Sequence, residues 1–251
     1  MARRIRIIPV LLLKNGGLYK TVSFKNPKYI GDPINAVKIF NEKETDELVL
    51  LDYNATADGR GIDYKRISEI AGEAFMPMAY GGGIKTLDDA KRVFDSGYEK
   101  VVLNSVLFDN PGLVEGIGSI YGAQAVVGSI DYKKTLFGGN KVHAQSGAKN
   151  TGHDPVSWAV KLQEYGIGEI MLNSIDKDGT WSGYDVDMVN KVSSKINVPL
   201  IACGGAGSVQ DMQSAVKAGA SAVAAGSMFI FQKKGMGVLI SFPTGVNLNS
   251  V

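Results

Sequence analysis

Two sets of glycines, each trailed by a polar pair, are the residues of this 251-residue sequence whose spacing most suggests chemistry. Gly81-Gly82-Gly83 leads to Asn104-Ser105, and Gly204-Gly205 leads to Gly226-Ser227. At a strand tip, glycine lets backbone N–H groups approach an anion closely, and a helix starting just after adds the positive end of its dipole. The chemistry implied is phosphate binding. Gly82, Gly83, Asn104 and Ser105 would form one grip, and Gly204, Gly205, Gly226 and Ser227 the other, with Asp178-Gly179 placed to close over the second. Two grips imply an elongated small molecule with a phosphate at each end. A lone glycine pair is more often only a tight turn, so the case depends on how the two sets are related.

They are related by an internal repeat. At an offset of 122 positions Gly83 falls on Gly205, and without a gap Asp89 falls on Asp211, Gly97 on Gly219, Val101 on Val223 and Ser105 on Ser227. The same offset pairs Glu47 with Glu169, Gly61 with Gly183 and Asp63 with Asp185. Near the start an offset of 119 lays the stretch ending at Leu12-Leu13-Lys14 over the one ending at Asp131-Tyr132-Lys133. The expected organisation is therefore two halves, about 1–122 and 123–251, within one domain.

Short runs rich in Val, Ile and Leu alternate with helix-period stretches, the pattern of a parallel sheet covered by helices. Strands are predicted near 5–13, 47–52, 76–80, 100–104, 125–131, 169–173, 199–203 and 222–225. Helices are predicted around 36–40, begun by Asp32-Pro33, and over 87–96, 111–121, 155–165, 186–195 and 209–217. With the repeat, this gives an α/β fold, a (β/α)8 TIM barrel made of two (β/α)4 half-barrels. An amphipathic eighth helix should follow Phe229-Ile230-Phe231, but Gly235, Gly237 and Pro243 interrupt it, so the last element is expected to be short or irregular.

Composition removes other classes. A formal charge of +2, with no basic run longer than Arg3-Arg4 or Lys233-Lys234, gives no footprint for nucleic acid. One cysteine, Cys203, excludes an internal disulfide, and two histidines, His143 and His153, cannot build a zinc-type cluster. No metal or cofactor is expected. No stretch approaches the roughly 18 apolar residues of a membrane span, and no signal-like segment follows Ala2-Arg3-Arg4, so a soluble cytoplasmic protein is expected.

From Arg6 to about Phe231 the sequence resembles the histidine-biosynthesis barrels, specifically the cyclase subunit of imidazole glycerol phosphate synthase. The stretches that carry the resemblance are Arg-Ile-Ile-Pro (6–9), Asp-Glu-Leu-Val (46–49), Gly-Gly-Gly-Ile (81–84), Lys-Asn-Thr-Gly (149–152), Ser-Ile-Asp-Lys-Asp-Gly-Thr (174–180), Ser-Gly-Tyr-Asp (182–185) and Gly-Gly-Ala-Gly (204–207). The resemblance implies a partner glutaminase whose ammonia crosses the barrel to a bisphosphorylated substrate, where an imidazole ring closes. It also implies an acid–base pair of carboxylates at the tips of the first and fifth barrel strands. Asp131 matches the second, while Leu12 stands where the first should be. Lys20 matches a lysine of the loop after strand one that closes over substrate, and Asp52 and Asn173 match polar strand-tip positions, the latter where threonine is usual. Cys203 reads as a small buried residue, not a reactive thiol.

At the other end, Arg6, Glu47, Lys100 and Glu169 match the family's ring of charges, described as the gate for ammonia, and Glu99 lies where an aspartate docks the glutaminase. Period-two alternation supports inward placement of Arg6, Lys100 and Glu169, but Glu47 is out of parity with Asp52, so that strand needs an irregularity or a different tip residue. The triple leucine 11–13, Gly-Asp-Pro-Ile-Asn-Ala (31–36) and Val-Leu-Ile-Ser-Phe-Pro (238–243) resemble a branch of cyclase homologues associated with surface-polysaccharide clusters. That branch implies an ammonia-channelling barrel serving conversion of an acetamido group on a sugar to acetamidino, with a glutaminase in a heterodimer and a separate amidating enzyme. The alternatives are a working histidine-pathway cyclase that tolerates Leu12, and a non-enzymatic scaffold that only stimulates the glutaminase.

Overall fold

Strands covered on both faces must be apolar at successive positions, and eight such runs form the barrel wall. The computed structural model describes residues 5–135, 139–243, 246 and 248; Ala2-Arg3-Arg4 lies outside them. The wall strands are β1 (Arg6–Lys14), β4 (Leu48–Asp52), β5 (Met78–Gly81), β6 (Lys100–Leu103), β7 (Val126–Lys134), β10 (Glu169–Ser174), β11 (Leu200–Cys203) and β12 (Ala222–Ala225). Neighbours pair in parallel, and β12 returns to β1, so the barrel is closed. The helices are α1 (Pro33–Glu42), α2 (Tyr64–Ala71), α3 (Leu87–Asp95), α4 (Val106–Asp109), α5 (Gly112–Tyr121), α6 (Pro155–Glu164), α7 (Val186–Ser193), α8 (Val209–Lys217) and α9 (Ser227–Ile230).

Alternation along the strands makes two apolar regions. One set, including Ile7, Leu11, Leu50, Val101, Ile170 and Leu200, packs outward under the helices. The other, including Ile8, Val10, Val49, Ala79, Val102 and Met171, fills the bore. Several repeat-related acids are helix caps. Asp63 and Asp185 accept from the first turns of α2 and α7. Asp89 and Asp211 close reciprocal capping boxes with Thr86 and Ser208 at α3 and α8.

The structure adds elements absent from the pattern above. After β1, strands β2 (Gly17–Val22) and β3 (Lys25–Gly31) form an antiparallel hairpin; after β7, β8 (Asn140–Ala144) and β9 (Lys149–Asn150) do the same. Helix α2 and the short helices α4 and α9 also lie outside the predicted set. No helix is described after Ile230. Instead the chain doubles back in a bridge from Phe231 to Val238, and the Phe242 ring packs on Phe229 at 5.5 Å between centroids. Glycine and proline in this stretch remove the continuous amphipathic turns an eighth helix needs.

Candidate functional site at the barrel mouth

The strand tips and the two hairpins enclose a cavity of about 480 Å³. Val10, Leu12, Leu51, Val102 and Met171 give it an apolar floor continuous with the bore, and Asp131, Asn104, Asn173 and Ser129 give it a polar side. Leu12 lies in this wall, beside Leu51 on β4 and Tyr19 on β2.

Asp131 is carried by β7 on the same face as Ser129 and Val127. Its Oδ1 accepts from Asn173 Nδ2 at 3.1 Å and Ser129 Oγ at 3.4 Å, and its Oδ2 from Asn104 Nδ2 at 3.2 Å. None of these donors carries a charge. Burial therefore wins and pushes the Asp131 carboxyl up to about 7, against the Asn173 hydrogen bond and with Asp178 adding to the rise. A carboxyl so placed can hold or release a proton near neutrality.

Lys20 lies on β2, not in a loop, and is only 6% exposed. Its ammonium donates to the Val10 carbonyl at 2.6 Å and sits against Gly226. Burial lowers its pKa to about 8, with Asp178 pulling the other way; burial likewise raises Asp178, opposed by Lys20. The first hairpin is tied to the loop after β10, where Ser23 N donates to the Asp178 carbonyl at 2.9 Å and Thr21 Oγ1 to Asp178 Oδ2 at 3.4 Å. Cys203 reaches the cavity, but burial pushes its thiol well up, so it stays protonated at neutral pH.

The parity conflict on β4 resolves as a different tip residue. Glu47, Val49 and Leu51 face inward, whereas Asp52 at the strand end turns to Arg60, whose Nη2 lies 3.0 Å from its Oδ1. Burial raises the Asp52 carboxyl, opposed by Arg60. Asp52 still borders the cavity rim.

The glycine sets are not equivalent here. Gly82, Gly83, Asn104 and Ser105 border the cavity, but of the second set only Gly226 does, together with Asp178. Gly204, Gly205, Ser227 and Gly179 do not. The segment 177–184 lies over them: Gly183 N donates to the Gly205 carbonyl at 2.8 Å, and Lys177 Nζ is engaged by the Gly183 and Tyr184 carbonyls at 3.2 and 3.1 Å. Gly179, in a left-handed conformation, abuts the Thr21 carbonyl so closely that a Cβ would overlap it.

At the opposite end, Arg6 bridges Glu47 and Glu169, and Lys100 lies 2.9 Å from Glu47 and 3.0 Å from Glu169. Acids and bases alternate in a closed ring across the bore. Burial alone would lower the Arg6 pKa, yet the two carboxylates hold it above its ordinary value. Glu99, beside the ring, is exposed and accepts from Met78 N at 2.7 Å, at the start of β5.

A closed parallel eight-strand barrel with this mouth and ring is accompanied by a match of residues 6–234 to the model of the histidine biosynthesis protein family. The chain belongs to that family. It is 51% identical over 244 residues, 97% of both chains, to a Pseudomonas aeruginosa protein provisionally named imidazole glycerol phosphate synthase subunit hisF2. It is 46% identical over 246 residues to a Vibrio vulnificus protein with the provisional name subunit hisF3, covering 96% of this chain and 94% of that one. Identity to the imidazole glycerol phosphate synthase subunit HisF of Exiguobacterium sibiricum is 41% over 226 residues, covering 89% and 90%. No described helix is long and apolar enough to cross a membrane.

Several mouth residues lay outside the sequence reading. The second hairpin places Gln145 N on Ser105 Oγ at 3.0 Å and Ser146 Oγ on the Tyr53 carbonyl, and the first places Phe24 against Gly147. Asn15-Gly16, both left-handed, is the turn joining β1 to β2, and Ser146-Gly147, also left-handed, lies in the turn between β8 and β9; these are turn signals present in the sequence.

Proposed function

We propose that the chain is an ammonia-conducting barrel subunit of a glutamine amidotransferase complex, and that it passes ammonia on without closing an imidazole ring. The observation that carries this is Leu12 in the cavity wall, where a second carboxylate would be needed beside Asp131. The other parts fit conduction. The ring of Arg6, Glu47, Lys100 and Glu169 opposes passage of cations, while ammonia is neutral and small, and the apolar bore above the ring favours the uncharged form. Glu99 beside the ring would help dock a glutaminase, making a heterodimer. The acceptor would be an acetamido group on a surface-polysaccharide sugar, converted to acetamidino by a separate amidating enzyme. A phosphorylated small molecule would bind at the mouth, held by Gly82, Gly83, Asn104 and Ser105, with Lys20, Asp52 and Asn173 around it. Its second phosphate would reach Gly204, Gly205, Gly226 and Ser227 only if segment 177–184 and Asp178-Gly179 moved aside.

A second reading, a histidine-pathway cyclase, is favoured by the relatives named as imidazole glycerol phosphate synthase subunits. One assay separates the two: the phosphoribulosyl-formimino-aminoimidazole carboxamide ribonucleotide and an ammonium salt are supplied, and imidazole glycerol phosphate is measured. We expect no turnover above background, and measurable turnover from Leu12→Asp. General acid–base groups contribute typically 10²–10⁴-fold, so the difference should be large. Robust turnover by the unaltered chain would establish the second reading instead.

A further inference from the structure

The two asparagines that hold Asp131 differ in a way that assigns them different work. Asn104 Nδ2 donates to Asp131 Oδ2, and its Oδ1 already accepts from Ser105 Oγ at 3.3 Å. Asn173 Nδ2 donates to Asp131 Oδ1, but its own Oδ1 is buried with no hydrogen-bond partner. That oxygen crowds the point where a Gly204 Cβ would stand, as does the Ser174 carbonyl oxygen, so glycine at 204 is what leaves it room. A buried acceptor without a donor carries a desolvation cost that natural folds rarely leave unused.

The unused oxygen has a use when Asp131 carries a proton. The amide of asparagine is planar, with oxygen and nitrogen nearly the same size, so turning it over needs no added space. In one orientation the NH2 group donates to the Asp131 carboxylate. In the other, Oδ1 accepts from the Asp131 carboxylic acid, and the NH2 group turns toward the side where the Ser174 carbonyl lies. Asn104 cannot do this, because its oxygen is held by Ser105.

We infer that Asn173 is a positioning residue for proton exchange at Asp131, serving the carboxylate with its nitrogen and the acid with its oxygen. This would let a single carboxyl at this mouth hold and release a proton where Leu12 supplies no partner acid. The inference rests on Asp131 being the acid–base group of the proposed site, but not on which acceptor the ammonia reaches. The other titratable groups around Asp131 are Asp178 from the loop after β10, Cys203 from β11 and Lys20 from β2. His143, opposite it on β8, has its Nδ1 on the Gly147 carbonyl at 3.0 Å.

The test compares Asn173→Thr with Asn173→Val, two side chains of nearly the same shape that both suit a strand. Threonine keeps one hydroxyl that can donate or accept, and valine keeps neither. The carboxyl carbon of Asp131 is followed by NMR as pH is varied in the whole chain. The unaltered protein should titrate near neutrality, and Asn173→Thr close to it. Asn173→Val should titrate about one pH unit higher, because both forms lose a hydrogen bond and the one to the ionised form is the stronger. Equal midpoints for the two variants would reduce Asn173 to packing and overturn the inference, as would an Asp131 that titrates near 4 in the unaltered protein. The titration reads the pair directly, so a failure here is distinct from a failure of ammonia delivery.

Discussion

Asp131→Asn should stabilise the fold by about 4 kcal/mol at pH 8 and change it little at pH 4. Asp131 holds its proton to about pH 7 when folded, whereas an unfolded chain releases it near 3.8. Its contribution to stability is therefore fully present below about 3.8 and is lost as pH rises through about 7. Above that the unaltered protein buries a charge held only by neutral donors. Asparagine removes the charge and keeps the shape. Its NH2 group can donate to the Asn173 oxygen once that amide turns over, an oxygen that otherwise has no donor. Urea unfolding of both proteins at the two pH values checks the sign and the window. A mutant less stable than the parent at pH 8 would show that the carboxylate is well solvated or paired, contrary to its surroundings here. A stabilising substitution at the residue best placed for proton transfer is the usual relation between a functional site and the fold that carries it.

Breaking the ring at the other end should act in the opposite direction. Glu47→Leu leaves Arg6 and Lys100 facing Glu169 alone, and an uncompensated cation in a half-buried position is costly. The loss expected is about 2–3 kcal/mol, below the roughly 3–5 kcal/mol of a fully buried pair because the side chains of Arg6 and Lys100 are 21% and 20% exposed. Replacing all four charges with apolar residues of similar size should recover most of this loss, since four desolvation costs disappear with the attraction. Urea unfolding at fixed salt measures both. If Glu47→Leu were neutral, the ring would be a set of solvated charges and could not act as a barrier to cations.

The parts of the fold that depend on periodicity were open to reading from the sequence, and the parts that depend on loops meeting across the mouth were not. The wall strands and most of the longer helices, though not α2, follow from apolar runs and from a start signal such as Asp32-Pro33. Three of the four ring residues are inward by alternation alone. Glu47 was harder because Asp52 shares its strand without sharing its face, and only the Arg60 contact explains where Asp52 goes. The hairpin after β1 carries Asn15-Gly16, yet its far turn is built on Ser23 and Phe24, both left-handed without being glycine, which gives no turn signal. The glycines of both grips stand out in the sequence. Which of them border the cavity is decided by segment 177–184 packing on Gly205, a tertiary contact with no local pattern.

The proposed function requires that ammonia made by a glutaminase crosses this barrel and is handed on. Its most direct measurement uses glutamine labelled with ¹⁵N in the side-chain amide. The barrel, its glutaminase, the amidating enzyme and the acetamido sugar are combined in an excess of unlabelled ammonium, and the isotope in the acetamidino nitrogen is read by mass spectrometry. Conduction through the bore predicts a product carrying mainly ¹⁵N, whatever the unlabelled pool. A product whose isotope ratio matches the pool would contradict it, and the barrel would then serve its partner without carrying the ammonia.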